Sequence, residues 1–389
     1  MVVGLGAVGS AATYQLARSG ARVIGIDRHS PPHTFGSSHG ESRITRLAVA
    51  EGAAYVPFVR RSHELWREIE AETGRHLLVQ CGGVVLGRPS STGQHGVADF
   101  TGATIELARA SGIDHEVLSA DEVRRRFGVF EVTDEVGYFE PSAGYLRAEA
   151  CVAGQLELAE RLGATVRRHE TVRAWRAGPE GVTVETDTAR YVAGSVVLAC
   201  GPWTAELAAE LAPHLTVHRQ VQCWFGIDAG AARLAAMPVF IWLHGSTPGA
   251  YAYGFPAIDG PNGGVKVATE TFDLPTTPEH VDRQLRDGEA EALFEAHVRG
   301  RLQGVTSECL RHAVCLYTVT PDFGFVVDVL GSHGNVVVAS PCSGHGFKHS
   351  AAIGECVAAM ALGAPAPLDV APFSLDRLHP SRGADHGGA

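Results

Sequence analysis

A chain of 389 residues is long for one hydrophobic core, so two closely joined domains are expected. With 45% hydrophobic and 19% charged residues the composition is that of a globular protein, and no apolar run is long enough to span a membrane. A net charge of −11 argues against nucleic acid and anionic membrane surfaces as partners, because phosphate recognition needs clustered cations.

Taken in order, the chain begins Met1-Val2-Val3-Gly4-Leu5-Gly6-Ala7-Val8-Gly9, a complete G-x-G-x-x-G between a short apolar run and a helical pattern. Such a turn suits a dinucleotide: Gly4 permits the tight bend, Gly6 lets backbone approach a pyrophosphate, and Gly9 lets the helix pack on the strand. Val8 lies at the helix start, where free N–H groups favour an anion. Val23 to Ile26 reads as a second strand ending at Asp27, whose carboxylate can accept hydrogen bonds from ribose hydroxyls. The first strand starts within one or two residues of Met1 with no basic leader, so a cytoplasmic protein is expected; a strand this short also suggests that residues precede it.

Pro31 to Arg46 is a loop rich in glycine, hydroxyl and basic groups, including Ser37, Ser38, His39, Ser42, Arg43 and Arg46, suited to wrapping phosphates or a ring system. A helical pattern over Val56 to Glu70 follows, its aromatics read as core. A strand at Gly82 to Gly87, a helix around Ile105 to Ser111, a capped helix start at Ser119 or Asp121, and a turn over Tyr138 to Tyr145 come next. Then come a helix from Arg147 to Gly163, a strand at Thr165 to Arg168 and a meander, Thr171 to Arg176, Val182 to Thr186 and Tyr191-Val192. Ser195 to Trp203 reads as a buried strand entering a glycine turn at Gly201.

From Val217 to about Val305 the strands become aromatic-rich, including Tyr251 to Pro256 and Gly264 to Ala268, as in a sheet roofing a small-molecule pocket. Asp287 to Leu302 is expected to be an exposed helix. Strands around Cys315, Phe325 and Val336 follow, then a second glycine loop, Ser343-Gly344-His345-Gly346-Phe347-Lys348, before a helix from His349 to Leu362. The tail from Pro365 reads as a surface extension. The eight cysteines show no C-x-x-C and no zinc spacing, so neither a metal site nor a disulfide scaffold is expected; all but Cys315 read as small buried hydrophobes.

These motifs, in this order, resemble the monomeric sarcosine oxidase and N-methyltryptophan oxidase family over nearly the whole chain. The resemblance rests on Gly4 to Gly9, Pro31 to Arg46, Tyr253 to Pro256, Cys315 to Thr318 and Ser343 to Lys348. It implies an α/β fold of two domains. One is a Rossmann-like FAD-binding domain (1–83, 147–216 and 307–389), the other a mostly antiparallel-sheet substrate domain (84–146 and 217–306). It further implies a monomeric flavoprotein that oxidises a secondary amino acid with O₂, giving imine and hydrogen peroxide, with FAD attached covalently through Cys315. Arg46 and Lys348 match a cationic pair for the substrate carboxylate, and Lys266 matches a lysine beside the flavin where a cation would favour superoxide. Tyr253 and Tyr317 match pocket aromatics. Gly344, Gly346, Phe347, Lys348, Val172, Gly201 and Trp203 are further cofactor candidates.

Two departures stand out. Glu270 occupies a position where the family usually has histidine, and Pro341-Cys342 replaces a glycine and a bulky apolar residue. Glu270 is therefore expected to alter the charge of one pocket wall and shift substrate preference. An NAD-linked dehydrogenase would share the first glycine loop but has no need of the second. A protein of the same fold that binds flavin could instead be an FAD-dependent dehydrogenase or have no catalytic activity.

Overall fold

The computed structural model describes residues 1–379. A six-stranded sheet runs in the order Val326–Leu330, Val336–Ser340, Val196–Leu198, Val2–Val3, Ile24–Asp27 and Thr165–Arg168; all neighbours are parallel except the first pair. Central strands of this kind are buried on both faces, which is why Val196, Val197, Leu198, Val336, Val337 and Val338 are apolar without alternation. Helices Ala7–Arg18, Val56–Thr73, Ala148–Arg161 and Ser350–Ala361 contribute to the core on one side. The meander Val172–Gly178, Gly181–Thr186 and Arg190–Ala193 contributes to the core on the other.

The second large sheet places Thr216–Ile227, Val265–Ala268, Tyr251–Gly254, Val239–Leu243, Gly83–Gly87 and Val136–Glu140 side by side. Only the pairing of Val239–Leu243 with Gly83–Gly87 is parallel along this path. The long strand Val305–Val319 pairs antiparallel with Thr216–Ile227 over its length, so it runs across residues 306 and 307. A small sheet of Ser42–Thr45, Gly144–Arg147 and Leu78–Val79 carries the start of the basic loop's exit.

Local signals explain most boundaries. Ser119 caps Ala120–Phe127 through a capping box with Glu122, and Gly128 ends the helix in the left-handed conformation. Three expectations are corrected. The helix expected over Asp287 to Leu302 is only Glu289–His297, and Leu293, Phe294, Val298 and Leu302 are buried, so this segment packs rather than lying exposed. The tail from Pro365 is docked as far as it is described: Phe373 packs against Tyr55, Phe58 and Phe325, and Leu375 is buried. The rest of that tail, from Pro380, lies outside the described residues. Cys81, Cys309 and Cys342 are half-buried rather than core, whereas Cys315 is fully buried. No helix among the described residues is long and apolar enough to cross a membrane.

Candidate active site

The first glycine turn sits at the carboxyl end of Val2–Val3, where a parallel sheet opens its crevice. Gly4 has φ +83°, and a Cβ there would lie 2.5 Å from the Ala199 carbonyl oxygen; one on Gly9 would lie 1.7 Å from the Gly4 oxygen. Strand, turn and helix can therefore close on one another only without side chains at these positions. Gly6 caps Ala7–Arg18 with no side-chain acceptor and no acidic residue in the first turn, leaving the helix start electropositive. The Ala7 N–H donates to the Ser38 hydroxyl at 3.1 Å. Asp27 accepts from the Leu5 and His29 N–H groups, both at 2.8 Å. Burial alone would raise its pKa; hydrogen bonds from His33, Leu5 and His29 outweigh that and hold it below the ordinary value.

From this turn a cleft of about 1280 Å³, partly open to solvent, runs between the two glycine loops. Gly4, Gly6, Val8, Asp27, Ser37, Ser38, Arg43, Val172, Gly201, Trp203, Gly344, Gly346 and Phe347 line it, together with Tyr317. Gly9, His39, Ser42, Cys315 and Lys348 do not. Gly9 is used in packing, and His39 is buried nearby with Nε2 unpartnered. Ser42 and Cys315 are fully buried, and Gln222 Nε2 donates to the Cys315 sulfur at 3.6 Å. Burial raises the Cys315 pKa, against the pull of Arg43 and Lys266. The electropositive helix start and the side-chain-free turns fit a long ligand with an anionic middle, as FAD is.

Lys266 lies on the buried face of Val265–Ala268, and its Nζ donates to the carbonyls of Gly40 (2.6 Å) and Ser42 (2.9 Å). Its Nζ stands 4.5 Å from the Phe255 ring centroid. Burial and Arg43 hold its pKa well below the ordinary lysine value.

A second cavity, of about 560 Å³, shares Arg43, Tyr317, Gly344 and Phe347 with the first. Its other walls include Arg46, Glu51, Gln94, His95, Tyr253, Glu270, His345 and Lys348. Strand alternation accounts for two of them: Tyr251 and Tyr253 share a face, as do Cys315 and Tyr317. The Tyr253 and Tyr317 hydroxyls are 3.3 Å apart. Arg46 follows the strand Ser42–Thr45, and the buried Glu140 carboxylate fixes the next turn by accepting from the Leu47 and Ala48 N–H groups.

The expected cationic pair does converge on this cavity. Lys348 donates to the His345 carbonyl at 2.8 Å, and burial lowers its pKa to about 7, with Glu51 and Glu270 pulling up and Arg46 pushing down. Arg46 pairs with Glu51 at 3.2 Å. Beyond Glu51 a chain of charge continues: His95 Nδ1 is 2.9 Å from Glu51 Oε1, and its Nε2 is 2.9 Å from Glu270 Oε2. The latter contact lacks the alignment of a hydrogen bond and is chiefly an attraction of charges. Burial disfavours the imidazolium, but Glu270 and Glu51 outweigh it and raise the His95 pKa to about 9. The carboxylate at position 270 is thus neutralised from within the protein.

Sequence reasoning misses Glu51, Gln94, His95, Glu140 and His345. Glu140 carries no pattern that separates it from a surface carboxylate. Gln94-His95-Gly96-Val97 does carry one: His95 and Gly96 have φ +49° and +79°, and Gln94 and Val97 exchange backbone hydrogen bonds. Positive φ at both central residues is the requirement of a two-residue type I′ hairpin turn, met here by His-Gly instead of the more usual Asn-Gly or Asp-Gly.

Residues 1–360 match the FAD dependent oxidoreductase family. A monomeric sarcosine oxidase of Streptomyces avermitilis is 39% identical over 382 residues, 97% of each chain. An N-methyl-L-tryptophan oxidase of Yersinia pestis is 35% identical over 97% of this chain and 98% of its own. Among solved structures, NikD, an unusual amino acid oxidase essential for nikkomycin biosynthesis, superposes in its open form with a TM-score of 0.83 at 26% identity, covering 96% of each chain.

Proposed function

The chain belongs to the FAD-dependent oxidoreductase family and is an FAD-dependent amino acid oxidase, and on that premise we propose that it oxidises a secondary amino acid, N-methylated or cyclic. The amine becomes an imine and O₂ becomes hydrogen peroxide, which balances the two electrons and two protons removed. The observation that carries this reading is the convergence of Arg46 and Lys348 on a buried pocket that meets the cofactor cleft at Arg43, Tyr317 and Gly344. Two cations from distant loops suit a small carboxylate. FAD, once bound, accepts the hydride equivalent from the carbon beside nitrogen.

The protein's own part is positional. Arg46 and Lys348 hold the carboxylate, Tyr253 and Tyr317 wall the amine, and Arg43 stands at the junction. Cys315 would hold the flavin through a thioether, and Lys266 would supply a cation for the oxygen half-reaction. A flavin lobe and a substrate lobe, joined by strands such as Val305–Val319 that run across the expected boundaries, a monomeric state and a cytoplasmic home complete the reading. The test is anaerobic mixing of the yellow protein with N-methyl and cyclic amino acids, followed by air. Bleaching, then recovery of colour with peroxide release, is expected. Bleaching without recovery in air would make the protein a dehydrogenase, and no bleaching by any of them would refute the substrate class.

A further inference from the structure

Glu270 is held in an unusual way. Tyr251 Oη (2.7 Å), Gln94 Nε2 (3.2 Å) and His95 Nε2 (2.9 Å) all converge on Oε2. Oε1 accepts no hydrogen bond among the described residues. It is turned toward Gly344, where a Cβ would lie 2.9 Å from Oε1 and 2.8 Å from His95 Nε2. Gly344 lines both cavities, so the free oxygen lies where the pocket meets the cofactor cleft.

A second acceptor is also left over. Gln94 is only 6% exposed and its Oε1 has no partner. The orientation of this amide is fixed by chemistry: a flip would set oxygen against the Glu270 carboxylate and lose the Nε2 hydrogen bond. A buried acceptor without a partner is unfavourable, so its presence on a residue of the pocket wall calls for a donor that arrives with the ligand.

Resting on the oxidase reading above, we propose that Gln94 and Glu270, braced by His95 and Tyr251, form a subsite for a hydrogen-bond-donating group on the substrate side chain. The substrate is then a secondary amino acid carrying a hydroxyl, amide or ammonium group. Sarcosine and proline, which have no side-chain donor, leave both acceptors unpaired. His95 sits between Glu51 and Glu270 and keeps the subsite electrically balanced against Arg46, so donors without charge are accepted as well as cations.

Two readouts test this in the flavin-loaded protein. In the first, butyrate and 4-hydroxybutyrate are titrated against the visible flavin spectrum. The hydroxylated ligand is expected to bind roughly tenfold to a hundredfold tighter, the range for one hydrogen bond to a charged group. In the second, anaerobic flavin reduction is compared for proline with 4-hydroxyproline and for N-methylalanine with N-methylserine, with the same preference expected. Glu270→Leu should abolish the preference in both. Gln94→Leu, which leaves the Glu51–His95 pair intact, should weaken it and decides the matter if the first variant does not fold. Equal affinity for the two ligands in the wild-type protein, or a preference that survives both substitutions, overturns the subsite. Failure of every amino acid to reduce the flavin would instead overturn the oxidase reading and the subsite with it.

Discussion

Replacing Lys348 with methionine removes one member of the carboxylate clamp at nearly constant volume, and its consequence should be visible as a change in pH dependence. Burial lowers the Lys348 pKa from 10.5 to about 7, equivalent to about 5 kcal/mol of bias against the charged form. The groups facing it are Glu51 and Glu270, which favour the cation, and Arg46, which opposes it. A ligand carboxylate adds a charge-assisted hydrogen bond of about 1.5–3 kcal/mol. That should raise the lysine pKa in the complex by roughly one to two units, so binding is coupled to proton uptake above pH 7. Carboxylate affinity should be flat below pH 7 and then fall about tenfold per pH unit, losing roughly ten- to a hundredfold in all. Lys348→Met should bind at the weaker level, with no slope between pH 7 and 8, below the range in which His95 on the same wall loses its charge. The assay is titration of the flavin spectrum with butyrate, ionised over the whole range, from pH 6 to 9.5. A slope that persists in Lys348→Met between pH 7 and 8 would refute the reasoning.

Melting temperature would be a poor substitute for that assay. The folded pKa of Lys348 is lowered, so its buried charge costs stability in full below about pH 7, and the cost disappears as pH rises to 10.5. His95 has the opposite sign: raised from 6.5 to about 9, it contributes stability below pH 6.5 that is lost as pH rises through 9. The two trends oppose each other across pH 7 to 9, whereas the difference in ligand affinity between the wild-type protein and Lys348→Met isolates the lysine.

Two further outcomes are expected. Acid precipitation of the wild-type protein should leave the yellow colour in the pellet, and Cys315→Ala should release it to the supernatant; colour lost from both alike would exclude a thioether at Cys315. Lys266→Met should slow reoxidation of the flavin by O₂ by far more than it slows reduction by substrate, as read separately by stopped flow. Equal losses would show that Lys266 serves to tie the Gly40 and Ser42 carbonyls together, the contacts its Nζ makes in the structure.

What the sequence determined by itself was local. The Gly4 to Gly9 turn was legible because only glycine fits between strand, helix and the Ala199 carbonyl; a capped helix start was legible at Ser119 or Asp121, and the structure places the cap at Ser119. Arg46 and Lys348 were picked out by the family resemblance, and in the structure both line one cavity. What tertiary structure alone decided was which polar side chains lose their water. Glu51, Gln94 and His95 drew no reading from the sequence, yet the fold buries them against Arg46 and Glu270, where each charge is stable only beside its opposite. From the sequence Glu270 implied a reversed charge on the pocket wall. The structure brings in a histidine 175 positions earlier in the chain to neutralise it, leaving one oxygen free. Sequence spacing carries no information about such a pairing, because it joins a turn that follows Gly83–Gly87 to a residue just past Val265–Ala268, two strands of one sheet that lie far apart in the chain.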